Sequence, residues 1–404
     1  MSRGRMAMSG ETGTAPAWGT RPRNRRELII AAATELFLID GYERVSMSAV
    51  ADAVHVRPSA LYRHFSSKAS LLTAAVIDEM EQVRGWLADV PDDLDAVAER
   101  LAVIAQNRKQ LGTLWQREAR SLPREEFSAL RAAVSRTVDV FAEQVMAHRP
   151  ELDSWSARLL ASCTYSAVCG LSRLTGELPA NRARTVFTDI IRTILNAHPV
   201  SGGEPDVVPP DQPGLSPVGR RERLLAAAIN LFAEYGYTAV AMEDIGRQAG
   251  IAAPTVYHHF ESKQHLLLTA MARVDEWLRH GLYWALRSSQ SPAEGLVRLV
   301  KSYIDFAVRH PQHVDVLLSE ARHLGNAERA QTAQLQSEYI QEWIHLMLSA
   351  RPGRTEAELA LRVYAILAIG HDVARISEFR HNPDAIATVK RFASALALPE
   401  NPSH

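Results

Sequence analysis

The strongest constraint on this chain is that it contains one segment twice. Residues 26–72 and 221–267 align without a gap, and 18 of the 47 paired positions are identical. Among them are Ala31, Ala32, Ala33, Leu36, Phe37, Gly41, Tyr42, Tyr62, His64, Phe65 and Lys68, whose counterparts run from Ala226 to Lys263. Such self-similarity is the mark of duplication. A fainter likeness continues downstream. LWQREARSL (114–122) matches VLLSEARHL (316–324), and Gly170 matches Gly370. Each copy is thus a unit of roughly 180 residues, a normal size for one or two compact bodies.

Between the copies lies PVSGGEPDVVPPDQPGLSPVG (199–219), with six prolines and four glycines. No helix or central strand tolerates that density, so the stretch reads as a linker biased towards polyproline II. At ~3.1 Å per residue it spans some ~60 Å, enough to connect two units packed side by side. Elsewhere apolar residues recur at spacings of three and four, as in Leu28, Ala31, Ala32, Leu36 and in Val134, Val138, Phe141, Val145. That is the helical period, and alternating strand patterns with hairpin turns are absent. The expected fold class is all-α, with two tandem units, each a three-helix head followed by a bundle of six helices. The expected boundaries are a tail at 1–20, a first head at 21–72 and a first body at 73–198. The linker at 199–219, a second head at 220–267 and a second body at 268–400 follow.

Each head carries a helix-turn-helix pattern. In the first, a helix from about Asn24 to Ile39 stops at Asp40-Gly41, where glycine can take the left-handed C-terminal conformation. A second follows Ser46, a good N-cap, and runs to about Val54. After the turn at His55-Val56-Arg57, a third begins at Pro58 and ends near Phe65. A short polar helix after a tight turn is the geometry that enters a major groove.

RELIIAAATELFLIDGYERVSMSAVADAVHVRPSALYRHFSSKASLL resembles the N-terminal domain of the TetR/AcrR family, and RERLLAAAINLFAEYGYTAVAMEDIGRQAGIAAPTVYHHFESKQHLL resembles it again. The whole is similar to the tandem TetR-type regulators of actinobacteria. The resemblance implies that Tyr62, His64, Tyr257 and His259 hydrogen-bond DNA phosphates, and that Lys68 and Lys263 pin a phosphate at the start of helix four. It implies that Ser46 caps helix two, and that Arg57, Ser59, Ala60 and Arg63 read bases in the first head. Thr255 and His258 occupy the matching surface of the second. Phe65 is expected to be a core aromatic. His55 and Ser59 stand where the family usually has glycine, as does Pro254.

The heads are not equivalent. Residues 21–72 hold eight Lys/Arg against five Asp/Glu, net +3, while 218–267 hold five of each, net zero. Arg21, Arg23, Arg25 and Arg26 lead into the first head. Arg57 and Arg63 become Ala252 and His258 in the second, and Ser46 becomes Ala241, which cannot cap. The first head is therefore expected to supply most of the specific affinity, and the operator to be asymmetric.

In the family the body holds an apolar pocket whose filling repositions the heads. The second body, richer in Trp and Tyr (Trp277, Tyr303, Tyr339, Trp343), is the favoured location. A lipid, steroid or acyl-type effector is the first expectation, with repression as its output. The last two helices of each body are expected to pair, with Gly170 and Gly370 allowing close approach. The two halves of one chain would then form an intramolecular pseudo-dimer, with further self-association left open.

The overall charge of −1 excludes a chain that is basic throughout but not a local basic face. No apolar run reaches the roughly 20 residues of a membrane helix, so a cytoplasmic protein without membrane contact is expected. Cys163 and Cys169 fall on different faces of one helix and read as small core residues. No Gly-rich phosphate loop, G-x-S-x-G elbow or H-E-x-x-H pair occurs, so neither enzyme activity nor a cofactor or metal is expected. His310 with His313, His258-His259 and His371-Asp372 read as surface or capping groups. The competing reading is a ligand-sensing or protein-binding helical module whose heads no longer bind DNA.

Overall fold

The computed structural model describes residues 24–88, 93–174, 178–202 and 218–398, and every regular element among them is a helix. The expected tail at 1–20, Arg21, Arg23 and the middle of the linker lie outside the described residues. The first head is α1 (Arg25–Asp40), α2 (Met47–Ala53) and α3 (Pro58–Leu61). Its body is α4 (Lys68–Ala88), α5 (Leu94–Asn107), α6 (Lys109–Gly112), α7 (Arg124–His148), α8 (Ser154–Ser172) and α9 (Ala180–Leu195). The second head is α10 (Arg220–Tyr235), α11 (Met242–Ala249) and α12 (Ala253–His259). The second body is α13 (Lys263–Arg287), α14 (Pro292–Arg309), α15 (Pro311–Ser319), α16 (Asn326–Ala350), α17 (Glu356–Arg375), α18 (Ser377–Arg380) and α19 (Pro383–Ala397).

Local chemistry sets where these helices begin. The carboxylates of Asp93 and Asp153 accept from the backbone N–H groups of Ala96 and Ser156, both at 2.7 Å, and open α5 and α8. Thr355 and Glu358 cap α17 reciprocally, each side chain accepting from the other's backbone N–H. Satisfying these orphan donors stabilises a helix start by about 1 kcal/mol.

The turn between α2 and α3 departs from the second copy. His55 has φ +52, in the left-handed region, where the second head places Gly250 at φ +65. A side chain there costs about 1 kcal/mol or more. His55→Gly is expected to stabilise the first head by roughly 0.5–1 kcal/mol, seen as severalfold slower amide hydrogen exchange in α2. Unchanged exchange would show that the imidazole repays its own strain.

Burial is unequal between the copies. One continuous apolar core runs through the first head, the first body and most of the second body. The second head has a core of its own, shared with Val316 and Leu324 of its body. At the centre α8 packs along α17, and α9 touches both α17 and α19. Gly170 makes the close approach. A Cβ there would sit 2.8 Å from that of Ala368 on α17, so only a hydrogen fits. Gly370 does not serve the same surface as expected: it makes room for Tyr303 and Ile304 of its own body, 2.9 and 3.0 Å from a Cβ at that point. Cys163 and Cys169 are buried free thiols whose pKa values burial raises, in keeping with a packing role.

Candidate nucleic-acid interface and effector cavity

In both heads the third helix presents its polar side chains outwards. Arg57, Ser59, Tyr62, Arg63 and His64 are exposed, and Ala60 is half-buried. Tyr257 and His258 are exposed in the second head, where Thr255 and His259 are half-buried. Tyr62 and Tyr257 are 54% and 49% exposed, which removes them from the core, whereas Phe65 and Phe260 are buried. The helix-three lengths differ: α3 ends at Leu61, while α12 runs to His259. The first head nevertheless keeps winding, since the N–H groups of His64 and Phe65 donate to the carbonyl of Leu61 at 2.9 and 3.0 Å. Arg63 and His64 thus project from a tightened turn rather than from a helix reaching Phe65.

Ser46 caps α2 as expected, its Oγ accepting from the Ala49 N–H at 3.1 Å. Ala241 has no such group. There Asp244 supplies the other half of the box, its carboxylate accepting from the Ala241 N–H at 3.0 Å. The two lysines are held differently from the expectation of a phosphate pin. Lys68 Nζ donates to the carbonyls of Tyr42 and Glu43 at 2.8 and 3.2 Å and lies 4.3 Å from the Tyr42 ring centre. Lys263 Nζ donates to Tyr237 and Val240 at 2.8 and 2.7 Å over the equivalent ring. An ammonium has three donors, and two are already committed inside the head. The lysine ties the start of helix four to the turn after helix one.

Two residues unassigned by the sequence reading join heads to bodies. The buried Glu118 carboxylate accepts from the Tyr42 N–H at 2.8 Å, and the buried Glu320 carboxylate accepts from the Tyr237 N–H at 3.2 Å. These are the glutamates of the repeated EAR motif. Its duplication was the available signal; its meaning needed the fold. Burial pushes the Tyr42 phenol up to about 12, so it stays protonated beside its clamp. In the second copy His323 stacks on Tyr237, ring centres 4.9 Å apart.

The second body contains a cavity of about 680 Å³ between α13, α14, α15, α16 and α17. Leu268, Met271, Leu278, Leu335 and Ile340 form much of its apolar wall, and Tyr303, Tyr339 and His371 stand among the polar lining. Thr113, Gly170, Arg173 and Leu174 of the first unit complete it. The Tyr303 hydroxyl hydrogen-bonds His371 Nε2. The acids and bases on the wall have partners: Asp275 pairs with Arg279 at 2.8 Å, and Arg375 with Asp315 and Asp372. An apolar lining with a few compensated polar groups suits a small amphipathic molecule.

His310 and His313, expected as surface or capping groups, are half-buried, and His310 stands at the cap position between α14 and α15. Their rings lie 4.6 and 4.9 Å from that of Trp277. Burial lowers the His313 pKa to about 3, with His310 and Arg273 adding to it. The folded state therefore prefers the neutral ring, and the unfolded state binds more protons below the ordinary histidine value of about 6.5. Stability should be full above that pH and fall by about 2 kcal/mol at pH 5, a loss that His313→Leu removes in acid unfolding curves.

Two exposed helix-turn-helix heads on helical bodies define a DNA-binding class of protein. Residues 29–75 and 224–270 each match the model described as bacterial regulatory proteins, tetR family, and 289–375 match the tetracyclin repressor-like C-terminal domain. The chain thus carries segments that match the tetR-family DNA-binding module twice and the C-terminal domain once. It is similar to the transcriptional activator FasR of Mycolicibacterium smegmatis, 28% identical over 39% of this chain and 71% of that protein. It is also similar to the transcriptional repressor KstR2 of the same organism, 33% identical over 29% of this chain and 57% of that one. The chain thus spans little more than half of the second relative. Among solved structures, a tetR-family regulatory protein from Rhodococcus RHA1 is 20% identical, with a TM-score of 0.41 over 46% of this chain and 100% of that one. No described helix is long and apolar enough to cross a membrane.

Proposed function

We propose that this chain is a ligand-responsive transcription regulator that binds double-stranded DNA through two non-equivalent heads, its two units pairing within one chain as a pseudo-dimer. The observation that carries the reading is the repeated outward surface, with Tyr62 and Tyr257 half-exposed at matching positions beside polar neighbours. Arg57 and Arg63 face out from the first head where the second has Ala252 and His258, which supports an asymmetric operator. An arginine paired bidentately with guanine is worth about 1–3 kcal/mol of discrimination, and no residue of α12 supplies one.

The cavity of the second body is the effector site on this reading. Leu317 and Leu318 of α15 form part of its wall, and Glu320, which holds the turn of the second head, follows directly. A molecule that displaces α15 pulls on that clamp. Repression is the output expected of the family reading, although the two relatives above include an activator. Loss of the clamp should loosen each head in proportion to its share of binding. Glu118→Ala is expected to weaken DNA binding about tenfold, the cost of a charged hydrogen bond, and Glu320→Ala by less. An electrophoretic titration checks both, with circular dichroism to confirm folding.

Footprinting on the DNA upstream of the gene, with a salt titration, tests the whole reading. The expected result is an asymmetric footprint occupied by one chain, with affinity falling steeply as salt rises. A palindromic footprint holding two chains would sink the pseudo-dimer. Absence of salt-dependent binding would favour the helical interaction module instead.

A further inference from the structure

The contact between the two units carries charges that cannot be exchanged between them. On α9, Arg182 pairs with Glu358 of α17 at 2.7 Å, and Asp189 pairs with Arg362 of α17. The α17 members are the desolvated ones. Arg362 is 1% exposed and Glu358 is also buried, while Arg182 and Asp189 reach in from the rim. Burial lowers the Arg362 pKa, and Asp189 acts to restore it.

The duplication shows what each unit would offer to a copy of itself. Matching Gly170 to Gly370 places Arg158 on Glu358 and Ser162 on Arg362. The buried stripes of α9 and α19 superpose with Phe187 on Val389, Ile190 on Phe392 and Ile194 on Leu396. That register places Arg182 on Asp384 and Asp189 on Arg391. The signs are inverted at both rim positions. If two first units paired in the same geometry, Arg182 would face Arg158 and Asp189 would face Ser162. If two second units paired, Asp384 would face Glu358, and Arg391 would face the buried Arg362. Arg158 also reaches across, to Glu378 of the second unit at 2.7 Å, while holding Asp139 of its own unit at the same distance.

We propose that Arg182, Asp189, Glu358 and Arg362 form a pairing code that joins a first unit to a second unit and rejects pairs of like units. The inference rests on the pseudo-dimer reading and adds to it a specificity. Like charges brought together at a desolvated interface repel strongly, whereas apolar helices alone pair without discrimination. After duplication, two similar bundles on each chain could otherwise combine between chains into open assemblies. A short tether favours the intramolecular pair through effective concentration, but it cannot by itself forbid the others.

The test uses the full chain with a protease site introduced between residues 203 and 217, cleaved after folding and examined by native mass spectrometry. The expected species is the mixed pair, without pairs of like units. Asp189→Arg should weaken the cleaved pair by roughly a hundredfold, and Asp189→Arg with Arg362→Asp should restore most of that loss. Because a reversal at buried Arg362 or at Glu358, which caps α17, can unfold the second bundle, the exposed Arg182 provides a second arm: Arg182→Glu should weaken the cleaved pair clearly more than Arg182→Ala. If like-unit pairs form as readily as mixed ones, or Arg182→Glu weakens the pair no more than Arg182→Ala, the code is wrong while the paired chain stands. If cleaved wild-type halves separate without pairing at all, the pseudo-dimer itself is wrong.

Discussion

Replacing Arg57 and Arg63 together by alanine is expected to lower affinity for the operator at least a hundredfold, while His258→Ala changes it by no more than a few-fold. Both arginines are exposed at either end of α3, and Arg57 immediately precedes Pro58 at the helix start. Neither supports the core, so the loss would not come from unfolding. Each guanidinium that reads a guanine contributes about 1–3 kcal/mol, and two independent losses add. The loss should be larger on specific than on random DNA, because phosphate contacts carry no sequence information. A binding titration on both DNAs decides it. Equal losses from the two heads would overturn the division of labour between them.

Trp343→Ala is expected to cost the second body about 3–5 kcal/mol, the range for removing a large buried aromatic. The indole is fully buried on α16, with its ring centre 6.0 Å from that of Tyr303 and 6.2 Å from that of Tyr339, both edge to face. Those tyrosines line the cavity, so the indole sets the wall a ligand would meet. Differential scanning calorimetry should show the midpoint falling by roughly 10 °C or more. Trp343→Phe should recover part of it, because a ring still backs Tyr303. A drop below about 1 kcal/mol would mean that the bundle closes over the gap, contrary to close-packed interiors.

The duplicated heads, the helical class and the cap at Ser46 were legible in the sequence because each depends on residues close together along the chain. The buried Phe65 and the exposed Tyr62 were read from the repeated run that holds both, since residues three apart share a helix face and periodicity alone does not separate them. The lysines were not. Lys68 matches the family run, but whether its ammonium faces outwards or is claimed by the carbonyls of Tyr42 and Glu43 depends on how α4 meets the turn after α1. The stacking of the histidines near Trp277 was not legible either. Spacing alone does not tell whether a polar ring is solvated or stacked.

By itself the sequence determined that there are two units, that both are helical, that each begins with a helix-turn-helix head, and that the heads differ in charge. Periodicity, capping and duplication are written in residue order and need no partner. Only the tertiary structure decided that Glu118 and Glu320 clamp the heads, that Gly170 and not Gly370 meets the other unit, and that the cavity borrows a wall from the first unit. It also decided which charges oppose each other across α9 and α17. These are contacts between residues far apart in the chain. A side chain's role there depends on which surface packs against it, and residue order does not specify that surface.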